Sequence, residues 1–213
     1  MTPTTILFDL DGTLTDSGKG IINCAAMTLE RYGLPVPSWD QMRVFVGPPL
    51  HETFMRFGIP EEEADNAVEI FRSRYNTVGK FENAPYPGIR EMLEKLQKDG
   101  HRLFVATSKP EKVAKEILAH FDLERYFSMI CGATESRSRT EKAEVIDYLL
   151  VQVGSDGHTV MVGDTAFDVL GAKHHGIGTI GVSWGYGKVE DMRSAGAVAI
   201  AHDAQALLQL LEQ

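Results

Sequence analysis

Short apolar runs separated by turn-forming residues recur along most of the chain. Six of them are four to six residues long and are typical of buried strands, because several end directly at a turn-forming residue. The first leads straight into Asp9 and Asp11, so these carboxylates stand at the end of a predicted strand. The six predicted strands cover residues 4–8, 102–107, 128–131, 159–162, 179–182 and 197–201.

Amphipathic segments lie between these runs. Ile89, Met92, Leu93 and Leu96 have helical spacing, and residues 110–121 and 145–153 repeat the pattern. Apolar strands that alternate with amphipathic helices favour a parallel sheet covered on both faces. The sequence therefore predicts an α/β fold with a doubly wound, Rossmann-like parallel sheet.

The segment between the first and second predicted strands breaks this alternation. Residues 61–78 place apolar side chains at helical spacing, from Ala64 to Val78, and no strand pattern occurs here. We interpret residues 16–84 as an inserted, all-helical cap domain, and residues 1–15 with 85–213 as the catalytic core. The alternative is that these helices belong to one layer of a single domain.

Composition excludes several classes of protein. The 213 residues carry 30 acidic and 21 basic side chains, a formal net charge of -9, so a nucleic-acid polymer or an anionic membrane is not an expected partner. Cys24 and Cys131 are too few for a disulfide framework. No apolar run is long enough for a membrane span, and we expect no signal peptide, because Asp9 and Asp11 stand where one would need apolar residues. We expect a cytoplasmic monomer or homodimer.

Four segments carry candidate chemistry, and three of them stand where a predicted strand ends. They are residues 9–13 (Asp-Leu-Asp-Gly-Thr), residues 107–109 (Thr-Ser-Lys), Lys142 and residues 163–168, which include Asp164 and Asp168. Ligands bind at the carboxyl ends of the strands in open parallel sheets, so these segments are expected to converge. Each segment alone has a plain structural explanation as a cap, a turn or a solvated side chain.

Four aspartates at one end of a sheet imply a cation. Two unit charges about 4 Å apart repel by roughly 4 kcal/mol at an effective dielectric near 20. Because the candidate ligands are all oxygens, from Asp9, Asp11, Asp164 and Asp168, the expected cofactor is Mg²⁺.

These residue types predict a Mg²⁺-dependent phosphatase that hydrolyses a small phosphate monoester, with a small phosphorylated metabolite as the substrate. Asp9 can attack phosphorus to form an aspartyl-phosphate, and Asp11 can act as the general acid and base. Thr107 and Lys142 are candidate catalytic and phosphate-binding groups, and Gly12 and Ser108 are further candidates for binding the phosphate oxygens. Lys109 follows Thr107 closely and could also face the phosphate; we favour Lys142.

The ordered set of motifs resembles the haloacid dehalogenase-like hydrolase superfamily, and the helical insert resembles that of its helical-cap subclass. Residues 47–50, 107–110 and 139–142 are similar to the phosphoglycolate phosphatase-like branch, some members of which are 5'-nucleotidases. The resemblance implies Asp9 as nucleophile and Asp11 as acid/base, which also binds Mg²⁺ through its backbone carbonyl. It further implies Thr107 and Lys142 as phosphate binders, and Asp164 as a metal ligand supported by Asp168.

The same residues leave some other functions open and count against others. A dehalogenase has no need of Asp11, because a halide leaves without a proton. A phosphomutase would keep the whole set, whereas a phospho-accepting receiver module would need neither the insert nor Asp11. The three spaced glycines of residues 176–181 follow a helix and enter a strand, which is the reverse of a dinucleotide fingerprint.

Overall fold

Six parallel strands form one sheet in the order β3-β2-β1-β4-β5-β6. The structure, a computed structural model, describes residues 4–134, 138–154 and 158–212. All six predicted strands are confirmed, and so is the doubly wound α/β class. The strands are β1 (Thr5–Phe8), β2 (Arg102–Pro110), β3 (Met129–Ala133), β4 (Thr159–Gly163), β5 (Gly178–Val182) and β6 (Ala199–Ala201).

Ten α-helices lie in the described part of the chain. The longest has 15 residues, and none of the described helices is long and apolar enough to cross a membrane. They are α1 (Gly18–Arg31), α2 (Trp39–Met42), α3 (Leu50–Arg56), α4 (Glu61–Tyr75), α5 (Ile89–Lys98), α6 (Glu111–His120), α7 (Lys142–Val153), α8 (Ala166–Lys173), α9 (Val189–Ala195) and α10 (Ala204–Leu211).

Alternation along β1 divides the core of the α/β unit between the two faces of the sheet. Ile6 and Phe8 belong to one buried cluster, with residues of α5, α6 and α10. Leu7 belongs to a second cluster, with residues of α7 and α8. Because successive side chains of a strand point to opposite faces, a short, wholly apolar strand can serve both layers.

The strand order places the ends of β1, β2 and β4 side by side. β1 is central, and Phe8 is in register with Val105 of β2 on one side and Val162 of β4 on the other. The chain leaves β1 towards β2 and β3 in one direction, while β4 to β6 extend in the other. Such a reversal opens a crevice at the carboxyl ends of the strands, where ligands bind in open α/β sheets.

The chain divides into two compact units. One comprises the residues up to Thr15 together with those from Pro85 onward, and the other is Asp16–Ala84. The roles of catalytic core and cap that the sequence suggested for these two regions remain a prediction. The smaller unit is all-helical among its described residues and has an aromatic core, in which the rings of Phe54 and Phe71 lie with their centroids 6.3 Å apart.

The sequence prediction was wrong about the end of α4. The apolar spacing extends to Val78, whereas the helix ends at Tyr75 and Val78 is 51% exposed. The chain leaves the helical path because a 3-10 turn at Gly79–Phe81 follows, and the next residue, Glu82, accepts a hydrogen bond from the Gly20 N–H of α1 at 3.0 Å.

The core of the α/β unit predicts a large cost for truncating Leu93. This side chain of α5 is fully buried, so Leu93→Ala should lower the free energy of unfolding by about 2–5 kcal/mol. Urea denaturation followed by circular dichroism measures the change. Leu170→Ala on α8 is the control, since Leu170 is 54% exposed and a change within about 0.5 kcal/mol is expected there. Equal losses in the two variants would contradict the assignment of Leu93 to the core.

Candidate active site

Asp9 is the first residue after β1, and a tight turn follows it. Its backbone N–H continues the sheet by donating to Val162 O at 2.9 Å. The turn is closed by hydrogen bonds from the N–H groups of Leu14 and Thr15 to Leu10 O, at 2.9 and 3.0 Å. Asp9 and Asp11 are therefore held on a short loop at the centre of the sheet edge.

Gly12 fits this turn for two reasons. Its φ of +79° lies in the left-handed region, which side chains other than glycine rarely adopt. A Cβ at this position would also overlap the carboxylate of Asp164. Gly12 thus allows the loop after β1 and the residue after β4 to approach closely, which is its observed part in the predicted site.

Three carboxylates meet at this edge. One oxygen from each of Asp9, Asp164 and Asp168 lies within 4.8 Å of the others. Asp164 and Asp168 are buried, and the side chain of Asp9 is 13% exposed. Asp168 is fixed from α8, because its Oδ2 accepts hydrogen bonds from the Thr165 N–H and hydroxyl at 3.0 and 2.8 Å.

Lys142 connects two of the three carboxylates. Its Nζ lies 2.9 Å from Asp9 Oδ1 and 2.8 Å from Asp168 Oδ1, and it donates to Ala106 O at 2.9 Å. The ammonium group therefore lies among two carboxylate oxygens in ion-pair contact and one carbonyl oxygen that accepts a hydrogen bond. The lysine opens α7 as the sequence predicted, but in this structure its donors are directed at the protein itself.

The three carboxylates of the cluster carry more negative charge than Lys142 compensates. Burial raises the pKa of Asp164 well above its usual value, and repulsion from Asp168 and Asp9 adds to the shift. Burial also raises the pKa of Asp9, although Lys142 opposes the shift. For Lys142, burial favours a lower pKa, but Asp168 and Asp9 outweigh it and the pKa is raised. One lysine therefore leaves two of the three carboxylate charges uncompensated.

The donor set fits a hard divalent cation. All the candidate ligand atoms are oxygens, and the surplus of two negative charges matches the charge of Mg²⁺. Asp9, Asp164 and Asp168 are the residues whose side chains could hold it. Asp11, the remaining predicted ligand, is not part of this carboxylate cluster.

The end of β2 supplies the remaining predicted residues. Thr107 is buried, and its hydroxyl hydrogen-bonds to the Asp9 carboxylate. Ser108 points the other way and is exposed. Lys109 is buried, with its Nζ 2.7 Å from Asp11 Oδ2, so it belongs to the site although the sequence left its role open.

The loop after β5 borders the cluster and was missed by the sequence analysis. The Tyr186 N–H donates to Asp164 Oδ2 at 2.8 Å, and a Cβ at Gly185 would overlap the Asp164 side chain. The Trp184 Nε1–H donates to Thr13 O at 3.1 Å, which ties this loop to the turn after β1. The available signal was a glycine-rich stretch directly after a strand, but the key contact comes from a backbone N–H.

One family model of known proteins matches most of the chain. Residues 6–182 match the family model of the haloacid dehalogenase-like hydrolases. A predicted phosphatase from Clostridium acetobutylicum, known from its crystal structure, superposes with a TM-score of 0.93 at 36% identity, and the match covers 100% of both chains.

Three curated relatives carry functional names. The chain is 42% identical over 209 residues to a 5'-nucleotidase of Pseudomonas aeruginosa, covering 97% of this chain and 95% of the relative. It is 32% identical over 187 residues to a phosphoglycolate phosphatase of Agrobacterium fabrum, covering 84% and 80%. It is also 41% identical over 203 residues to the tyrosine-protein kinase PtkA of Mycobacterium tuberculosis, covering 95% and 69%.

The buried position of Lys142 predicts a large effect of its removal on stability. Lys142→Met leaves Asp9 and Asp168 facing each other without their common cation. Breaking a buried ion pair from one side costs about 3–5 kcal/mol, and a loss of this size is expected in urea denaturation at neutral pH with EDTA present.

The control for this variant is Lys98→Met. Lys98 pairs with Glu94 on the surface of α5, where its side chain is 70% exposed. Its removal should leave the unfolding curve unchanged within error. If Lys142→Met were as stable as this control, Lys142 would not be the group that holds the carboxylates together.

Proposed function

Because the chain belongs to the haloacid dehalogenase-like hydrolase family, we propose that it is a phosphatase that hydrolyses a small phosphate monoester by way of an aspartyl-phosphate. The relatives named 5'-nucleotidase and phosphoglycolate phosphatase support a phosphoric monoester hydrolase. The observation that carries the proposal is the placement of Asp9, a carboxylate fixed by Lys142 and Thr107 at the crevice of the sheet.

In the first step an oxygen of Asp9 attacks phosphorus, and the bond from phosphorus to the ester oxygen breaks. Asp11 gives its proton to that oxygen, so the substrate leaves as a neutral alcohol. In the second step Asp11 takes a proton from water while the water oxygen attacks phosphorus. The bond between phosphorus and Asp9 then breaks, and inorganic phosphate leaves with both aspartates restored.

Other groups of the site bind and orient the phosphate. Thr107, with backbone N–H groups near Gly12 and Ser108, is proposed to donate to its oxygens. Lys142 is proposed to direct one N–H to the phosphate, and the neutral Ala106 carbonyl is the weakest of its present partners. Asp9 and Asp164, supported by Asp168 and the Asp11 backbone carbonyl, would hold Mg²⁺. When bound, that ion neutralises charge between the nucleophile and the phosphate.

Transfer to a hydroxyl acceptor instead of water is the second candidate. The relative named a tyrosine-protein kinase favours it, because a tyrosine kinase transfers phosphate to a hydroxyl group, as the phosphomutase alternative also would. Both could share the first step at Asp9. The product separates the candidates: free phosphate supports the hydrolase, whereas a newly phosphorylated acceptor supports the transferase.

The proposed nucleophile gives the first functional prediction. Asp9→Asn should lower phosphate release from 2-phosphoglycolate, nucleoside 5'-monophosphates or sugar phosphates by at least about 10³-fold, because an amide does not form the acyl-phosphate. EDTA should stop the wild-type enzyme, and added Mg²⁺ should restore it.

A phosphate-release assay across these esters measures both effects. Asp147→Asn is the matched control, since Asp147 lies exposed on α7 and its removal should leave the rate unchanged. Release that persists undiminished in Asp9→Asn or in EDTA would refute the mechanism.

A substitution in the loop after β5 tests the proposed metal site through Mg²⁺ affinity, without a measurement of catalytic activity. In Gly185→Ala the new methyl group displaces the Asp164 carboxylate, and Mg²⁺ affinity should fall by about 10–100-fold, as for other groups that orient a metal ligand. Isothermal titration calorimetry measures the dissociation constant. Gly178→Ala on β5 is the control, since its Cβ would meet only side-chain atoms of Val198. Equal Mg²⁺ affinities of Gly185→Ala and wild type would argue against Asp164 as a ligand.

A further inference from the structure

Lys109 forms a second buried ion pair beside the carboxylate cluster. Its Nζ lies 2.7 Å from Asp11 Oδ2, and the side chains are only 6% and 15% exposed. The pair is separate from the one that Lys142 makes with Asp9 and Asp168. Two lysines therefore serve the two aspartates of the turn after β1, one each.

The alternation of side chains at the end of β2 explains why Lys109 reaches Asp11. Thr107 and Lys109 are both buried while Ser108 between them is exposed, as expected for alternate residues of an extended strand. Thr107 hydrogen-bonds to Asp9, and Lys109, two residues on, reaches Asp11, two residues after Asp9. The Lys109 N–H also contacts the Thr107 hydroxyl oxygen at 3.3 Å, so the two positions are fixed together.

Lys109 holds Asp11 by one oxygen. The other oxygen, Oδ1, is buried and has no hydrogen-bond partner within residues 4–134, 138–154 and 158–212. An unpartnered buried carboxylate oxygen costs free energy, so its retention indicates a use that the resting protein does not satisfy.

We propose that Lys109 is the positioning residue of the general acid and base: it fixes Asp11 through Oδ2 so that Oδ1 exchanges the proton with the leaving oxygen and then with water. The inference rests on the proposed phosphatase function. Lys109 keeps its own protons throughout. Oδ2 can accept from the ammonium whether Oδ1 carries a proton or not, so the contact is compatible with both steps.

The dependence of the rate on the leaving group distinguishes positioning of Asp11 by Lys109 from a merely structural role of Lys109. An alkyl ester, such as 2-phosphoglycolate or AMP, expels a poor leaving group that must receive a proton. p-Nitrophenyl phosphate expels a stable phenolate that leaves without one. A misplaced Asp11 therefore slows the phosphorylation of Asp9 by the alkyl esters much more than by the aryl ester, and kcat/KM reports that step. The second step is common to all three esters, and a disturbed fold or a lost phosphate contact lowers kcat/KM for all of them.

The experiment compares Lys109→Met, Lys109→Arg and wild type on these three esters in Mg²⁺. Lys109→Met should lower kcat/KM by about 10²-fold or more for the alkyl esters, the usual range for general acid catalysis, and by less than about tenfold for p-nitrophenyl phosphate. Lys109→Arg retains the charge and should recover part of the loss. Lys115→Met, on the exposed face of α6, is the control with unchanged kinetics.

A double-mutant cycle with Asp11→Asn sharpens the test. If Lys109 acts through Asp11, Lys109→Met causes no further loss on alkyl esters in the Asp11→Asn background. Equal losses of kcat/KM on alkyl and aryl esters, or full additivity of the two substitutions in kcat/KM on alkyl esters, would each overturn the proposal. Thermal melts check the fold, and if Lys109→Met unfolds, Lys109→Gln takes its place. Absence of phosphate release by the wild type would instead refute the phosphatase function itself.

Discussion

The crowding of three carboxylates at the carboxyl ends of β1 and β4 is the constraint on which the site depends. Asp9, Asp164 and Asp168 come within 4.8 Å of one another in buried surroundings. At such distances each charged pair costs roughly 4 kcal/mol at an effective dielectric near 20. The strand order that places β1 beside β4, and the glycine after Asp11 that admits Asp164, both serve this close approach.

Two lysines divide the compensation of charge. Lys142 forms ion pairs with Asp9 and Asp168, and Lys109 forms an ion pair with Asp11. When Asp11 is ionised, Lys109 balances its charge, so the surplus of negative charge lies in the cluster that contains Asp9. A divalent cation is therefore attracted to the carboxylates of that cluster, and the side chain of Asp11 stays available for proton transfer.

The sequence predicted the sheet because each strand is a short apolar run with a clear end, and it predicted the convergence of the site because ligands collect at those ends. It could not assign Lys109, since whether a buried lysine reaches Asp11 or a phosphate depends on side-chain reach across two strands. The loop at Tyr186 was missed because its contact is a backbone N–H without a side-chain signature. Val78 continues the apolar spacing of α4 in the sequence, but the helix ends at Tyr75 and Val78 is exposed.

The covalent role of Asp9 is the central claim, and the stereochemical course at phosphorus tests it most directly. A phosphorothioate ester made chiral at phosphorus by two oxygen isotopes is hydrolysed in water that carries the third isotope, and the configuration of the released thiophosphate is determined. Transfer to Asp9 followed by transfer to water inverts the configuration twice, so the account predicts net retention. Net inversion would show a single displacement by water and would contradict an aspartyl-phosphate intermediate.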